Sequence, residues 1–346
     1  MRRPRVLQAL RGERPDTTPI WLMRQAGRHL PGYRALRAAH PILEIARTPE
    51  LAAEATLEPL RRYDVDAGVV FADITLPFAG LGVDFAIEPS VGPVVPRPVR
   101  SRAEVEALRP FSARESVPYV GAAIERFLEL ERERPILGFA GGPFTLASYL
   151  IEGRPDRELP ATRRMLYSEP EVFDALVGRL VEMTIDYLKF QASSGAEVLQ
   201  IFETWIGSLG LRTFERHLLG PLSTIVDGLA VTGRPVILFS TGSSHLLAGL
   251  AATGAPALGV DWREPLGSVR RRLGPGVALQ GNLDPAALLG GPERLRREAV
   301  AVLDEVPDGR GHVFNLGHGV PPDAAPERVG ELVELVHRTG FERGRR

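Results

Sequence analysis

Polar side chains follow several short β-rich runs of the sequence, where parallel-stranded enzymes keep their reactive groups. The set comprises Arg24, Gln25, Arg28, Asp73, Tyr149, Glu203, Thr204, Asn282, Asp284 and His318. Because the carboxyl ends of parallel strands meet at one mouth, we expect these distant segments to converge. Arginines, a carboxylate, a phenol and an imidazole gathered there could bind an acidic ligand and stabilise charge or move protons on it.

Arg24 and Arg28 are four residues apart and follow the first β-rich run. If Gln25–Arg28 forms a helical turn, both guanidiniums face one side. Their planar forks would then suit a polycarboxylate ligand. The spacing alone is more typical of a solvated pair, but the position directly after a strand favours binding.

Asp73 interrupts an otherwise apolar stretch, Val69–Phe78. A buried carboxylate is costly unless it is hydrogen-bonded or paired. One interpretation is that Asp73 caps the next turn. The other is that it accepts hydrogen bonds from several N–H groups of a ligand, since an ionised carboxylate offers about four lone-pair sites.

Three further candidates each have a structural alternative. Tyr149 could be a half-buried aromatic, His318 a loop histidine between two glycines, and Thr204 a helix N-cap. The glycines beside His318 would also let the backbone approach a ligand closely.

The composition excludes several kinds of chemistry. The 346 residues contain no cysteine, so disulfides, thiolate nucleophiles and cysteine-based zinc sites are impossible. The single lysine, Lys189, lies in a predicted helix and in no phosphate-binding motif, so Schiff-base and P-loop chemistry are disfavoured. The histidines form no two-ligand metal motif, and no G-x-G-x-x-G follows the first run, so we expect neither metal nor dinucleotide.

Eight β-rich runs alternate with helical segments. They are Pro19–Arg24, Ala67–Phe71, Ile136–Ala140, Val198–Phe202, Val236–Ser240, Ala257–Asp261, Val277–Gly281 and His312–Leu316. Several are continuously apolar, as expected of parallel strands buried on both faces. The alternation favours an α/β fold with a closed (β/α)8 TIM barrel over an open doubly wound sheet, and we expect residues 1–346 to form a single domain.

Helix boundaries also have sequence signals. Ser168–Glu171 has the capping-box pattern ahead of a helix over Val172–Gln191. Thr48-Pro49-Glu50 predicts a helix start of the same kind. A last helix is predicted over Pro326–Thr339, ended by Gly340. The Pro-rich stretch Glu88–Pro98 is interpreted as a loop excursion over one barrel end.

The net charge of −1 gives no general attraction to nucleic acid or to an anionic membrane. We expect neither partner. The N-terminal residues lack the apolar core of a signal peptide, and no run reaches the ~18 apolar residues of a membrane span. Together with the absence of cysteine, this predicts a cytoplasmic protein.

Six strings resemble the uroporphyrinogen decarboxylase family, in the family's order and across nearly the whole chain. They are PIWLMRQAGRHLPGYRALR (residues 19–37), FADITLPFAGLG (71–82), GFAGGPFTLASYLIEG (138–153), LQIFETWIG (199–207), LQGNLDP (279–285) and NLGHGVPPDAAPERV (315–329). A single such string would be weak, whereas six in order are specific. Thr204 stands where many relatives have Ser, which keeps the hydroxyl, and His29 and Gly32 replace the more usual Tyr and Glu.

The resemblance implies a homodimeric, cofactor-free barrel that converts the four acetate arms of uroporphyrinogen III to methyl groups, giving coproporphyrinogen III and CO2 in heme biosynthesis. It implies substrate contacts from Arg24, Gln25, Ala26, Gly27, Arg28, Asp73, Tyr149, Thr204 and His318. Catalytic roles would belong to Asp73, Arg24, Arg28, Tyr149 and His318. The alternatives are a corrinoid-linked methyltransferase of the same fold, which the lack of cysteine disfavours, and a tetrapyrrole-binding protein without catalysis.

Overall fold

Seven parallel strands form the central sheet of this protein. The computed structural model describes residues 4–344, with side chains as far as residue 342. Its strands are β1 (Gly68–Val69), β2 (Ala86–Glu88), β3 (Gly92–Val94), β4 (Ile136–Gly141), β5 (Val198–Phe202), β6 (Val236–Phe239), β7 (Ala257–Gly259), β8 (Ala278–Leu283) and β9 (His312–Leu316). The sheet order is β1-β4-β5-β6-β7-β8-β9, so its strands lie in chain order, and the separate β2–β3 hairpin is inserted between β1 and β4.

Helices occupy the connections between these strands. They are α1 (Arg5–Leu10), α2 (Pro31–Ala39), α3 (Ile42–Arg47), α4 (Pro49–Arg62), α5 (Arg102–Glu106), α6 (Ala113–Ser116), α7 (Pro118–Leu130), α8 (Pro143–Glu152), α9 (Pro160–Ser168), α10 (Pro170–Ser193), α11 (Leu211–His217), α12 (Leu219–Leu229), α13 (Leu247–Ala252), α14 (Leu266–Leu273), α15 (Pro292–Asp304) and α16 (Pro326–Gly344). This alternation confirms an α/β fold with a parallel sheet.

The first predicted strand, Pro19–Arg24, is present only as a single parallel bridge between Ile20 and Phe314 of β9. Trp21 N–H donates to the Phe314 carbonyl of β9 at 3.4 Å, whereas side chains accept from three other N–H groups of the segment. Asp66 accepts from Ile20 at 2.8 Å, Gln25 from Leu22 at 3.0 Å, and Asn315 from Met23 at 3.1 Å. The prediction of a regular strand was therefore wrong, because buried polar side chains replace most of the ladder and leave one bridge to β9.

Ile20 nevertheless connects the two sides of the sheet. The Phe314 N–H donates to the carbonyl of Pro19 at 2.8 Å, and the Asp66 N–H donates to the carbonyl of Ile20 at 2.8 Å. Asp66 directly precedes the segment that becomes β1. The chain around Ile20 thus lies between β9 and the entry to β1, and the sheet is curled.

Three local predictions require correction. Ser168 ends α9 instead of capping α10, whose N-cap is Glu169 and has no side-chain capping bond. Gly340 does not end the last helix, because α16 continues to Gly344. A Cβ at Gly340 would lie 2.5 Å from Thr17 Oγ1, so this glycine instead permits close packing. The predicted loop Glu88–Pro98 begins inside an antiparallel hairpin of β2 and β3.

Two apolar cores lie on opposite sides of the sheet. The outer core packs the helices against the strands, whereas the inner core fills the space that the curled sheet encloses. Alternate strand residues such as Leu137, Ile237 and Val313 point into the inner core. Helix α1 covers its lower end with Val6, Leu7, Ala9 and Leu10, beside the first residues of the strands.

The upper part of the inner core is aromatic. The ring of Phe202 lies 5.4 Å from that of Phe139 and 5.7 Å from that of Phe239, in edge-on contacts. Gly259 makes room for this layer, since a Cβ there would lie 2.7 Å from Phe239 Cδ2. These rings form the floor beneath the carboxyl ends of the strands.

Candidate active site

The carboxyl ends of the parallel strands bring most of the predicted polar residues to one side of the sheet. Asp73 follows β1, Thr204 follows β5, and His318 follows β9. Helix α8 begins directly after β4 and carries Tyr149. The parallel pairing of these strands forces their ends onto the same side.

Asp73 uses its two carboxylate oxygens differently. Oδ1 accepts hydrogen bonds from the backbone N–H of Thr75, at 2.8 Å, and from the Thr75 hydroxyl. Oδ2 has no hydrogen-bond partner among residues 4–342. Burial raises the pKa of Asp73, while the bonds from Thr75 and the charge of Arg24 oppose that increase. The turn-capping interpretation is therefore confirmed for Oδ1, while Oδ2 is available to a ligand.

Tyr149 lies on α8, where its ring packs against that of Trp205 in a tilted contact, with centroids 4.5 Å apart. Burial raises the pKa of the Tyr149 hydroxyl to about 12; the charge of Asp73 adds to the shift, and that of Arg24 reduces it. The phenol is thus protonated near neutral pH and can donate a hydrogen bond beside Asp73.

Arg24 is the cation that acts on both of these groups. Its backbone is left-handed, with φ 58°, and its side chain lies over Gly319. A Cβ at Gly319 would be 2.4 Å from Arg24 Cδ, so the glycine after His318 is needed for this contact. Within the described residues the Arg24 guanidinium has no ion pair or hydrogen bond, so its donors can bind an anion.

The segment Gln25–Arg28 does not form the predicted helical turn. It follows the left-handed Arg24 as a series of turns and bends. Gln25 is buried, and its amide is held by Leu22 N–H and the Ala67 carbonyl, so its side chain cannot reach a ligand. In contrast, the backbone N–H groups of Ala26, Gly27 and Arg28 have no acceptor in the part of the chain that the structure describes. A carboxylate could bind to this run of donors.

Arg28 is exposed at the end of this segment. Its charge acts on Tyr33, whereas Asp73 and Tyr149 respond to Arg24. The structure thus gathers Arg24, Asp73 and Tyr149 into one electrostatic group and leaves Arg28 at its edge.

His318 lies between two close contacts within the protein. On one side Gly319 supports Arg24; on the other, a Cβ at Gly317 would lie 2.4 Å from the backbone nitrogen of Trp262. The flanking glycines therefore accommodate protein neighbours. Burial lowers the pKa of His318 to about 4, and the charges of Arg24 and Arg263 contribute to the decrease. The imidazole is neutral and can both donate and accept.

Thr204 keeps its hydroxyl available. Its carbonyl accepts from Thr241 Oγ1 at 2.7 Å, but its own Oγ1 caps no helix and bonds to no other described residue. The N-cap interpretation is therefore wrong.

Two of the polar residues that were predicted to follow strands serve the scaffold instead. Asn282 lies in β8 and donates to the carbonyls of Asp261, at 2.8 Å, and Glu264, at 2.6 Å. Asp284 caps a short 3-10 helix by accepting from Ala286 N–H at 2.9 Å. Strand-end position alone could not separate them from binding residues.

Glu203 is a fully buried carboxylate whose structural role the sequence did not reveal. It accepts from Phe144 N–H at 3.0 Å, Thr145 N–H at 2.7 Å and Thr145 Oγ1 at 2.6 Å, all at the start of α8. Burial raises its pKa to about 7, against the effect of these bonds. The acid inside an apolar run and the GGP helix start were both visible in the sequence, but not their pairing.

Arg263 is a second residue that the sequence reasoning missed. It follows β7 at the same side of the sheet and pairs with Asp261 at 2.7 Å. The available signal was a charged residue two positions after the predicted strand Ala257–Asp261.

No cluster of three or more potential metal ligands occurs among the described residues. No helix in the same part of the chain combines the length and apolarity needed to cross a bilayer. The polar groups at the mouth include three arginines (Arg24, Arg28 and Arg263), a carboxylate, a phenol, a neutral imidazole and a hydroxyl. Such a set can bind carboxylates and stabilise a developing positive charge.

Solved structures with the same fold come from proteins of low sequence similarity. A methyltransferase from Methanosarcina mazei superimposes with a TM-score of 0.80 over 96% of this chain and 97% of its own, at 21% identity. A B12-independent methionine synthase from Shewanella gives a TM-score of 0.54 over 85% of this chain and 87% of its own, at 13% identity. At these identities the likeness shows the fold alone.

Sequence comparison is more specific. Residues 1–339 match the profile of the family described as uroporphyrinogen decarboxylase (URO-D). Proteins named uroporphyrinogen decarboxylase are 44% identical in Streptomyces avermitilis and 45% identical in Streptomyces coelicolor, with 96% of this chain and 93% of each relative covered. The protein of that name in Thermobifida fusca is 45% identical over 96% of this chain and 91% of its own length. With nearly the whole chain matched and the sequence strings of the site in the family's order, this chain belongs to the uroporphyrinogen decarboxylase family.

Proposed function

We propose that this protein is a carboxy-lyase that decarboxylates the four acetate arms of uroporphyrinogen III, leaving methyl groups and releasing coproporphyrinogen III and CO2. This is a step of heme biosynthesis. Family membership over residues 1–339 supports the reaction. The observation that carries the mechanism is the open Oδ2 of Asp73, beside Tyr149 and Arg24 at the mouth of the sheet.

The chemistry needs a place for the electrons that the departing carboxylate leaves behind. The substrate's own pyrrole can supply it. Uptake of a proton by the ring carbon next to the one that carries the arm makes the pyrrole cationic. The bond between the arm's methylene and its carboxylate then breaks, and the electron pair forms an exocyclic double bond to the ring, which neutralises the ring. Protonation of the resulting methylene carbon and loss of the ring proton leave a methyl group. The net exchange is one proton for one CO2.

Asp73 would stabilise that cationic ring. Its open oxygen can accept from pyrrole N–H groups, while Thr75 fixes the other oxygen. A charge held ready before the reaction costs no reorganisation in the transition state. At ~4 Å and an effective dielectric near 20 the attraction is about 4 kcal/mol, or about a thousandfold in rate.

The remaining residues would hold the carboxylate arms. Arg24 and Arg28 supply cationic forks, and the backbone N–H groups at Ala26 and Gly27 supply neutral donors. Gln25 contributes by fixing this segment, because its own amide is occupied.

Three neutral groups complete the proposed site. Thr204 and His318 would hydrogen-bond to substrate carboxylates, and Tyr149 would orient Asp73 or a pyrrole ring. We propose no cofactor or metal, since the pyrrole itself accepts the electrons.

Anaerobic incubation with uroporphyrinogen III tests the function directly. The expected result is release of four CO2 per macrocycle, with the seven-, six- and five-carboxylate intermediates resolved by chromatography. Tight binding without CO2 release would favour the tetrapyrrole-binding alternative. Methyl transfer from a corrinoid would favour the methyltransferase alternative. The absence of cysteine from this chain argues against that outcome, because no thiolate could serve as a zinc ligand.

We further propose that the sheet is a closed (β/α)8 barrel within a single domain of residues 1–346. The hydrogen bonds of Pro19 and Ile20 to β9 and to Asp66 support closure through the first segment. We also propose a homodimer, in line with the family. The exposed apolar side chains of Tyr167 and Leu211 are candidates for its interface. Sedimentation equilibrium would give the mass of the particle.

A further inference from the structure

Arg263 lies at the mouth but has no part in the proposed chemistry. Its Nη1 donates to Asp261 Oδ2 at 2.7 Å, and its backbone N–H donates to Asp261 Oδ1 at 2.9 Å. Asp261 is buried, with 4% exposure, and also accepts from the Gly242 N–H in the segment after β6. A buried carboxylate on the scaffold thus fixes both the backbone and the guanidinium of Arg263.

The guanidinium is also stacked and largely unused. Its carbon lies 4.1 Å from the centre of the Trp262 ring. An arginine has five N–H donors, and the bond to Asp261 is the one side-chain hydrogen bond that Arg263 makes among the described residues. The side chain of Arg263 is 52% exposed, so the other donors can meet a ligand. Holding a planar fork in advance reduces the entropy lost when an anion binds.

Arg263 belongs to the same rim as His318 and Arg24. Gly317 packs against the backbone of Asp261 and Trp262, and Gly319 packs against Arg24, so His318 stands between the two arginines. The charges of both arginines act on the imidazole. In contrast, the charge of Arg24 and not that of Arg263 acts on Asp73. Arg263 is therefore on the rim, away from the reacting ring.

We propose that Arg263 is a specificity-determining residue that binds a propionate carboxylate of the tetrapyrrole, on a ring other than the one being decarboxylated. This inference rests on the proposed function. The arm is assigned as a propionate because the acetates are consumed in turn, whereas the four propionates remain through every step. A fixed arginine remote from the reacting ring can keep such a contact in each of the four reactions.

The test compares Arg263→Gln and Arg263→Lys with wild type. With Arg263→Gln we expect KM to rise about 10-fold for both the eight-carboxylate substrate and the five-carboxylate intermediate, with kcat within about twofold. Inhibition by coproporphyrinogen III, which retains the propionates, should weaken by a similar factor. The KM of Arg263→Lys should lie between those of wild type and Arg263→Gln, because lysine keeps the charge but loses the planar fork and the contact with the Trp262 ring.

Arg294→Gln is the matched control, since Arg294 is an exposed arginine on α15 with a weak ion pair to Glu298 at 3.5 Å. It should leave both KM and product inhibition unchanged. An unchanged KM in Arg263→Gln, or a loss confined to kcat, would overturn the proposal. A higher KM for the eight-carboxylate substrate but not for the five-carboxylate intermediate would also overturn it, because Arg263 would then bind an acetate arm. If Arg263→Gln does not fold, Arg263→Lys decides by the same criteria.

Failure of the proposed function would appear separately, as wild-type protein that releases no CO2. In that case the affinity for coproporphyrinogen III in wild type and Arg263→Gln still tests the binding role of Arg263.

Discussion

Asp73 divides its two carboxylate oxygens between the scaffold and the open mouth of the sheet. Thr75 binds one oxygen and so fixes the direction of the other. Either interpretation of the sequence alone would have been incomplete. The residue type and its strand-end position were predictable, but the division between the two oxygens depends on a threonine two residues away.

Replacing Asp73 by Asn separates charge from shape. The amide oxygen can keep the bond from Thr75 N–H, while the negative charge is lost. We expect kcat to fall about 100- to 1000-fold, because the cationic ring loses its counter-charge, with little change in affinity for coproporphyrinogen III. Steady-state kinetics and ligand titration measure the two effects. Near-normal turnover would reject the role of Asp73.

The neutral state of His318 has a consequence for pH. Since burial and two nearby arginines lower its pKa to about 4, the imidazole gains no proton between about pH 6 and 8. We expect His318→Gln to raise KM about 3- to 10-fold and to leave the shape of the pH–rate profile unchanged in this range. If the wild-type pH–rate profile changed near pH 6.5 and the profile of the variant did not, His318 would titrate during the reaction.

At the scale of single elements, seven of the eight predicted strands are present, because buried parallel strands have a continuous apolar signal. The first strand was wrong in detail, since Asp66, Gln25 and Asn315 supply acceptors that no local pattern encodes. The predicted helix end at Gly340 was wrong for a similar reason. That glycine packs closely against Thr17 and Thr18, which lie more than 300 residues earlier in the chain.

The pairing of Glu203 with the start of α8 links two elements of the site. The carboxylate holds Thr145, whose hydroxyl in turn accepts from Trp205 N–H at 3.3 Å. Trp205 then supports Tyr149. A Cβ at Gly142 would lie 2.2 Å from Glu203 Oε2, so the glycine before the helix is required for this pairing.

Glu203 should therefore give stability an unusual pH dependence. Its folded-state pKa is raised from 4.5 to about 7, so the folded protein takes up this proton more readily than the unfolded chain. Between those values wild type should gain stability, relative to Glu203→Gln, as the pH falls. Melting temperatures of both proteins at pH 5, 6, 7 and 8 check the sign. A difference that does not vary with pH would contradict the shift.

At the scale of the whole molecule, alternating strands and helices predicted the fold class, but closure of the sheet is a long-range property without a periodic signal. It depends on contacts between chain segments some 300 residues apart, such as Ile20 with Phe314. Helix α1 was likewise not predicted as the cover of the inner core. The apolar pattern of α1 does not indicate which part of the core the helix packs against.

Removing side-chain volume from α1 should separate stability from activity. Leu7→Ala leaves a cavity at the lower end of the inner core, and we expect a loss of about 2–5 kcal/mol of unfolding free energy. Because the active groups lie at the other end of the strands, kcat should change less than twofold. Leu130→Ala is the control, since Leu130 is 50% exposed on α7. Equal melting temperatures for the two variants would show that α1 does not close the core.

The filled interior also determines how a substrate must travel. In the described part of the chain, aromatic rings fill the upper part of the space that the sheet encloses, and α1 covers its lower end. A flat macrocycle must therefore arrive and depart by the same opening. To present its four arms in turn to the single fixed anion of Asp73, it has to lift off, rotate and settle again. The partly processed species should consequently escape into solution and compete with fresh substrate for re-entry.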